Sequence, residues 1–346
     1  MPTPAPDEVE QSVIDSLGLR RIATSELTIE RRMVDGIATY ARGGRKVGAR
    51  DVKRISELAV PPAWSDVRIA GDRDAHLQAV GRDDAGRLQY IYHDAWEDVR
   101  AAAKASRLLH LGSALPRLRP AVETDLGRDS PNLSLACAAR LVDLLHLRAG
   151  HECYAGDEGG RGVATLLKRH LSLNGSEFRL LFRGKGGKRI EKVCSDRQLV
   201  EALRELRKER GPRLFKLRTS DGSRPMTAAD LNRYLAESSG RAITAKDFRT
   251  LYASATALDR LCAADAGNSV SARRRFLAET ARYISEELAN TPAITRKSYI
   301  HPQIVEKFEA GELLGLANGR ARDGQTAAES KLMRFLETST ILKTAA

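Results

Sequence analysis

The chain has 346 residues, 42% hydrophobic and 29% charged, a composition typical of a folded globular protein with room for two domains. It excludes a disordered chain, and no apolar run is long enough for a membrane-spanning helix. The net charge of +12 is uneven. Residues 1–98 hold 14 Lys and Arg against 17 Asp and Glu, so the remaining residues carry a net +15. A positive field concentrated in one region indicates a polyanion partner, usually nucleic acid.

The cysteines and histidines show no pattern of a metal site or a disulfide framework. The four cysteines are scattered without a C-x-x-C pair, which suits a reducing cytoplasm, and the seven histidines lack metal-ligand spacing. The N-terminus, MPTPAPDEVEQ, has no basic and apolar signal layout. We therefore expect a cytoplasmic protein without a metal or another cofactor.

The N-terminal quarter of the chain changes from helical to strand-like patterns. The first forty residues indicate one or two helices, and residues 60–93 contain strand-like pieces at 67–69, 76–80 and 87–92. The turn Asp84-Ala85-Gly86 predicts a hairpin between the last two. Helical spacing starts at residue 95 and runs to 111. Because charge and periodicity both change here, we place a domain boundary near residue 98, giving domains 1–98 and 99–346.

The second domain is predicted to be mostly helical. Apolar spacing near 3.6 residues predicts helices at 134–148 and 161–171, and capping boxes predict helices that start after Ser195 and Thr227. Residues 174–193 differ: an Asn-Gly turn and alternating apolar residues predict a hairpin whose second strand follows the glycine-rich segment GKGGK. From about 318 onward the chain forms either a last helix or a partly disordered tail. The predicted fold class is α+β, with a small sheet-bearing N-terminal domain and a larger helical domain that carries one β-hairpin.

Four short segments of the basic domain each place a cation or a tyrosine in a suggestive setting. Arg148 ends an apolar helix pattern in LRAGHECY (147–154), where it either satisfies the helix C-terminus or binds a phosphate with its guanidinium fork. Lys185 projects from the glycine-rich turn of FRGKGGK (182–188), as a solvated lysine or as one that donates a proton to a leaving oxygen. None of these readings is decisive alone.

The other two segments lie near the starts of predicted helices. In TAKDFRT (244–250) the box Thr244-x-x-Asp247 puts Lys246 in the first helical turn and Arg249 in the second, and a lysine opposing the helix dipole there suggests a ligand. In NTPAITRKSYIHP (290–302) a short helix starts at Thr291-Pro292 and is blocked by Pro302. Tyr299 lies on that helix beside basic residues, as a packed side chain or as a nucleophile.

Together these segments resemble the type IB DNA topoisomerases of the poxvirus and bacterial kind. The four catalytic-domain segments occur in that family's order, and VPPAWSDVR (60–68) and HLQAVGRDDAGRLQYIYH (76–93) extend the resemblance into the N-terminal domain. Six matches in register over about two hundred and forty residues are far more specific than one motif. The resemblance implies an enzyme that relaxes supercoiled duplex DNA by cutting and resealing one strand, as a monomer and without ATP or metal.

The resemblance also implies a role for each matched residue. Tyr299 matches the nucleophile that forms a 3′-phosphotyrosyl bond. Arg148 and Arg249 match the arginines that hold the nonbridging oxygens of the scissile phosphate, and Lys185 matches the general acid for the 5′-oxygen. Asn290 matches a further catalytic position, which is His in the poxvirus branch and Asn in many bacterial members. Supporting positions are Tyr154 and Lys188 as DNA-binding residues, and Lys246, which assists protonation of the leaving group.

The sequence departs from the family pattern in three places. DEGGRG (157–162) replaces an Asn-Gly-Ser-Tyr-Gly-like segment, so Arg161 stands where relatives have a DNA-contacting tyrosine. Gly186 follows Lys185 where the poxvirus branch has an Asp, and LYASATAL (251–258) lacks the usual Trp. No departure removes a catalytic group, so they bear on DNA affinity and proton transfer.

Three other functions share part of this evidence. A tyrosine recombinase or integrase has the same catalytic fold but usually shows His-x-x-Arg where this chain has Lys246-Asp247-Phe248-Arg249. A non-catalytic duplex-binding protein on the same scaffold would share the charge but lack a catalytic residue, and all four are present. A nuclease would show an acidic metal cluster or hydrolyse the phosphotyrosyl bond.

The family resemblance further implies a C-shaped clamp around duplex DNA. The N-terminal domain would cover one face of the duplex although it is slightly acidic. Its arginines, among them Arg68, Arg82 and Arg87, would then have to cluster on one face with the acids elsewhere. For a bacterial protein we expect association with the nucleoid.

Overall fold

The protein is described here from a computed structural model, which covers residues 6–155, 159–220, 222–264, 269–313, 320–322 and 324–338. The chain forms two compact units that divide between Ala103 and Lys104. This division falls inside a long helix, α3 (Trp96–Asp125), and the boundary expected near residue 98 lies in the first turn of the same helix. No helix in the described ranges is long and apolar enough to cross a membrane.

The N-terminal unit is built on one antiparallel sheet of six strands in the order β3-β2-β1-β4-β5-β6. Its elements are α1 (Pro6–Ser16), β1 (Ile29–Val34), β2 (Ile37–Arg42), β3 (Arg45–Lys46), α2 (Ala49–Glu57), β4 (Ser65–Ile69), β5 (Leu77–Arg82) and β6 (Leu88–Tyr92). The three strands predicted between residues 60 and 93 are confirmed as β4, β5 and β6.

The expectation that the first forty residues are helical is wrong after Ser16. Strands β1 and β2 form a hairpin whose turn is Asp35-Gly36, with φ angles of 51° and 78°. Positive φ at both turn residues is the conformation that Asp-Gly favours in a two-residue hairpin loop. The Asp-Gly pair was the signal for a strand pair at this position. One face of the sheet packs Ile29, Ile69 and Ala79 against Ile55 of α2.

The second unit is mainly helical. Its helices after α3 are α4 (Leu133–Leu145), α5 (Arg197–Lys208), α6 (Ala228–Ser239), α7 (Ala245–Cys262), α8 (Val270–Glu287), α9 (Pro292–Ile294), α10 (Pro302–Ala310) and α11 (Ala327–Glu337). Helix α7 lies at the centre, in contact with α4, α8, α10 and α11. Of the two alternatives for the chain after residue 318, the structure shows a last helix, α11, and the chain beyond residue 338 lies outside the described residues.

Two small sheets interrupt the helices. Strands β7 (Leu171–Asn174), β8 (Glu177–Arg183) and β9 (Arg189–Cys194) form one antiparallel sheet, and β10 (Lys216–Thr219) pairs with β11 (Gly222–Pro225). The predicted hairpin at 174–193 is confirmed as β8–β9, with Phe178, Leu180 and Phe182 buried. The mixed architecture, a sheet-bearing N-terminal unit and a helical second unit, agrees with the predicted α+β class. The expectation of one hairpin in the helical domain is wrong, since β7 extends that hairpin to three strands and β10–β11 forms a second one.

Residues 161–171 do not form the predicted helix. They form 3₁₀ turns at Val163–Thr165 and Lys168–His170 before β7 begins. The amides of Val163 and Ala164 donate to the carbonyls of Arg148 and Ala149, which uses groups that a helix would bond internally. The apolar residues of 161–171 are therefore buried on several sides of an irregular segment, and their spacing does not indicate a helix.

The predicted helix starts are correct to within a residue. Thr227 caps α6 and shares a capping box with Asp230, as expected. Asp196, one residue after the expected Ser195, caps α5 by accepting a hydrogen bond from the amide of Leu199. A carboxylate beside the serine took the cap position, which both residue types can occupy.

Candidate active site

Arg148 lies in the loop that follows α4. The helix ends at His146, which has a left-handed φ of 56°, and the loop turns at Gly150, with φ of 84°. Gly162 packs against the backbone of Arg148 and Gly150 so closely that a β-carbon there would collide with both. Together with the hydrogen bond from Val163 to the Arg148 carbonyl, this contact holds the arginine's backbone in place.

Lys185 lies at the tip of hairpin β8–β9, as predicted. The tip is a tight turn in which Gly186 and Gly187 both have φ of 71°. Gly160 packs against this turn, since a β-carbon at Gly160 would lie 2.7 Å from the Lys185 Cα. The amide of Arg161 also donates to the carbonyl of Arg183 at 2.9 Å. One short segment thus touches both the Arg148 loop and the Lys185 hairpin.

Arg249 lies in the second turn of α7, as predicted, and is only 3% exposed. Its Nη1 donates to the His146 carbonyl and its Nη2 to the Leu288 carbonyl, at 2.9 Å. Its buried Nε has no hydrogen-bond acceptor among the described residues. Burial, and then the nearby charge of Arg148, lower the pKa of Arg249 to about 10, so it stays charged at neutral pH.

Tyr299 ends a π-helical turn, Thr295–Tyr299, that follows α9. The Ser254 hydroxyl of α7 donates to the Tyr299 carbonyl at 3.0 Å and accepts from the amide of His301 at 3.1 Å. The guanidinium carbon of Arg249 lies 5.0 Å from the centre of the Tyr299 ring. Single π-helical turns of this kind often occur at functional sites.

The pKa of the Tyr299 phenol reflects two opposing effects. Burial raises it, since a phenolate is poorly stabilised away from water. The charge of Arg249 and a hydrogen bond from it, followed by the charges of Arg148 and Lys246, have the larger combined effect. The net result is a pKa below the ordinary value of 10, which favours the nucleophilic form.

These side chains share one cavity of about 810 Å³ in the second unit. Among the predicted site residues, those that line it are Arg148, Lys185, Lys246, Arg249 and Tyr299. Asn290 and Lys188 do not line it: Lys188 donates to the Asn290 carbonyl at 2.7 Å, which links the hairpin to the end of α8. The buried Asn290 Nδ2 has no acceptor within the described residues. The side chain of Tyr154 lies outside the described part of the structure.

Three further residues around the site are not marked by any sequence motif. The His146 ring stacks on Tyr252 with centroids 3.8 Å apart, and burial, helped by the charges of Lys192 and Arg249, lowers the pKa of His146 to about 4. Ser254 is completely buried. Asn232 lines the cavity and accepts from the amide of Ala245 at 3.0 Å. Their positions depend on tertiary contacts, and no local pattern marked them.

The geometry suits the binding of a phosphate diester. Five cations, the fifth being Arg161, and one phenol face a common space, and the described residues contain no group of three or more His, Cys, Asp or Glu arranged to hold a metal ion. Guanidinium groups with a free nitrogen bind phosphate oxygens through charge-assisted hydrogen bonds. The cavity therefore offers cations that can hold a phosphate and a phenol beside them.

Comparison with known proteins identifies the family. Residues 95–314 match the model described as eukaryotic DNA topoisomerase I, catalytic core, and residues 39–83 match that of the bacterial DNA topoisomerase IB N-terminal domain. The chain is 28% identical over 280 residues to DNA topoisomerase 1B of Acanthamoeba polyphaga mimivirus, a match that covers 78% of this chain and 83% of the viral protein. The chain belongs to the type IB DNA topoisomerase family, and it is a DNA-binding enzyme of that type.

Proposed function

We propose that the protein relaxes supercoiled duplex DNA by cutting one strand through a 3′-phosphotyrosyl bond on Tyr299 and resealing it, without ATP or metal. The observation that carries this proposal is the convergence of Arg148, Lys185, Arg249 and Tyr299 on one cavity. The Tyr299 oxygen attacks the scissile phosphorus, the bond to the 5′-oxygen breaks, and Lys185 gives that oxygen a proton.

The cations provide the electrostatic stabilisation. Negative charge gathers on the nonbridging oxygens in the transition state, where preorganised donors stabilise it most. Arg249 supports this role because two carbonyls orient it and its Nε retains a free hydrogen. We assign Arg148 to the nonbridging oxygens together with Arg249. Asn290 serves as an amide donor through its Nδ2, which has no partner among the described residues, and Lys246 assists protonation of the leaving group. Tyr154 and Lys188 are proposed to contact the DNA backbone.

Resealing follows the same route in reverse. The phosphotyrosyl ester retains the energy of the broken phosphodiester, so no ATP is required. Between the steps the free 5′ end rotates and supercoils are released. We propose that the protein acts as a monomer on cytoplasmic, nucleoid-associated DNA, with its two units closing around the duplex as a C-shaped clamp.

The N-terminal sheet offers partial support for a DNA-facing role. Arg68 and Arg82 lie on one face of the sheet, since Arg68 pairs with Val80, two residues from Arg82. Arg87 lies in the following turn, paired with Asp83. The expectation that acidic residues lie away from these arginines is not met. Asp66 forms an ion pair with Arg82 at 3.5 Å, and Glu30 of β1 lies opposite Arg68 in the strand register.

The test is a relaxation assay with negatively supercoiled plasmid in EDTA without ATP. We expect relaxed closed circles from the wild type and none from Tyr299→Phe, because removing the hydroxyl removes the nucleophile while the ring and its contact with Arg249 remain. Equal duplex affinity and equal melting temperature of the two proteins are the control.

The assay also separates the alternatives. A wild type that binds duplex at low salt but leaves the plasmid supercoiled refutes the proposal and favours a non-catalytic binding protein. Cleavage confined to a defined recombination site favours a tyrosine recombinase. Lys246 lining the cavity, at the place of the usual recombinase histidine, favours the topoisomerase.

A further inference from the structure

A second cavity lies beside the first in the helical unit. It has a volume of about 330 Å³ and is formed by the segment 159–170 and by hairpin β8–β9. Four of its lining residues are arginines, Arg161, Arg169, Arg183 and Arg189, and none of the described lining residues is a carboxylate. None of these arginines has a part in the chemistry proposed for Tyr299.

Part of the charge of this arginine cavity is not offset by an ion pair among the described residues. Arg189 lies 3.1 Å from Glu191, whereas neither Arg169 nor Arg183 forms an ion pair within the described ranges. The charges of Arg161 and Arg169 also reach His170: burial first, and then these two cations, lower its pKa to about 4. Guanidinium groups gathered in one hollow repel each other unless an anion binds between them. Their planar forks match the oxygens of a phosphate.

The arginine cavity adjoins the cavity of Tyr299. Gly159 and Arg161 line both, so the segment that contains them separates two basic spaces. The phosphates of a DNA strand follow each other every 3.4 Å, approximately, along the helix axis. A strand whose scissile phosphate lies at Tyr299 therefore brings neighbouring phosphates close to the adjoining cavity.

We propose that the arginine cavity binds a second phosphate of the DNA whose scissile phosphate is held at Tyr299. The inference rests on the proposed function and extends it to DNA binding outside the reacting bond. A phosphate bound here contacts Arg161 and Arg169 on one segment and Arg183 and Arg189 on the hairpin. It therefore joins the segment to the hairpin that carries Lys185, in addition to the hydrogen bond between Arg161 and Arg183.

The test uses the full chain with Arg169→Ala and Arg183→Ala combined. The matched control is Arg197→Ala with Arg207→Ala, which removes the same charge from exposed positions on α5. Duplex affinity is measured between 50 and 200 mM salt in the absence of supercoiling. Each phosphate contact contributes about 0.9 to the slope of log affinity against log salt. We expect the cavity variant to lose about one unit of slope and the control to keep the wild-type slope.

A second measurement distinguishes DNA phosphate from a free phosphate compound. Tripolyphosphate is added to the DNA-free proteins and the melting temperature is followed. If it stabilises the wild type but not the cavity variant, while the DNA salt slopes are equal, the cavity binds free polyphosphate and the DNA assignment is overturned. Equal slopes without that stabilisation overturn the site altogether.

The proposed function is tested independently of this site. A wild type that relaxes plasmid while the variant keeps its salt slope leaves the function intact and removes the second phosphate site. A lower slope in the variant, together with no relaxation by the wild type, supports the second phosphate site and refutes the proposed function.

Discussion

The guanidinium of Arg249 depends on main-chain groups of two distant segments. It reaches the His146 carbonyl at the end of α4 and the Leu288 carbonyl at the end of α8. Carbonyls at helix ends lack intrahelical partners and carry partial negative charge, so they are suited to a buried cation. The position of the arginine is therefore set by where two helices stop, and His146, at one of these ends, affects it through its backbone.

His146 also couples stability to pH. An unfolded histidine takes up a proton as pH falls through about 6.5, whereas folded His146 stays neutral until about pH 4. The unfolded state thus binds more protons in this window. His146 therefore lowers the free energy of unfolding by up to about 3 kcal/mol as pH falls from 7 to 4.

We predict that His146→Asn removes this part of the pH dependence. Asparagine tolerates the left-handed backbone at this position, and the carbonyl that Arg249 uses remains. Urea unfolding at pH 7 and pH 4.5 is expected to show a loss for the variant that is smaller by about 2–3 kcal/mol than the wild-type loss. If the wild type and the variant lose the same free energy of unfolding between pH 7 and pH 4.5, the pH dependence does not come from the buried His146 ring.

Sequence could predict which residues meet at the cavity but not the residues that orient them. Arg148, Lys185, Arg249 and Tyr299 lie in family motifs that survive as local patterns, and they share a cavity. His146 and Ser254 act through a carbonyl and a hydroxyl that meet their partners across the fold. Such contacts impose no spacing on the sequence. Asn290, although in a motif, is not among the residues that line the cavity, and no local pattern indicated this.

Among the elements, the segment that contains Gly160 and Gly162 is the contact between the Arg148 loop and the Lys185 hairpin. We predict that Gly160→Ala lowers the rate of DNA cleavage at least about tenfold, since small displacements of a reacting group are costly. The new β-carbon would lie 2.8 Å from the Gly184 carbonyl oxygen and push the hairpin tip away. Single-turnover cleavage of a duplex measures the effect.

The control for this substitution is Gly48→Ala, at a glycine with ordinary φ and open space around the added carbon. It should leave cleavage unchanged. If Gly160→Ala cleaves at the wild-type rate with unchanged stability, the hairpin position does not depend on this contact.

Helix α11 is attached to the body by an ion-pair cluster around Arg119 of α3. The guanidinium donates to Asp143 of α4 and Glu329 of α11 at 2.8–2.9 Å, with all three side chains largely buried. We predict that Arg119→Met lowers the free energy of unfolding by about 3 kcal/mol, because two carboxylates lose their partner. Arg197→Met, in an exposed pair with Glu201, should change it by less than about 1 kcal/mol. Urea denaturation of both variants is the measurement, and similar losses would contradict the prediction.

Elements were predictable where short-range rules dominate. Capping boxes and the alternation in β8 fixed helix starts and a hairpin, because their hydrogen bonds are local. The segment 161–171 was not predictable in this way, since its amides bond to residues 148–149 and its apolar side chains face several neighbours. The first hairpin was missed although Asp35-Gly36 is a strong turn signal.

For the whole molecule, the uneven charge predicts uneven contributions to DNA binding. About half of the arginines of the N-terminal unit form ion pairs, and Arg68 forms none among the described residues. We predict that Arg68→Ala reduces the salt slope of duplex affinity by about one unit, because one phosphate contact is lost. Arg20→Ala, at an arginine paired with Glu26 and Asp72, is the control and should leave the slope unchanged. An unchanged slope for Arg68→Ala would place the DNA away from this face of the sheet.

The bonding of Ser254 to the Tyr299 carbonyl and to the His301 amide has a mechanical consequence. In the proposed intermediate one DNA end is joined to the protein through a side chain with only two rotatable torsions, on a main chain that is itself held to α7. The broken strand then has one stationary end and one that turns. Because the stationary end moves little, each full revolution brings the free 5′-hydroxyl back to nearly the same position beside the phosphotyrosyl group. The probability of resealing per turn then depends on the torsional stress in the DNA and not on motion of the tyrosine.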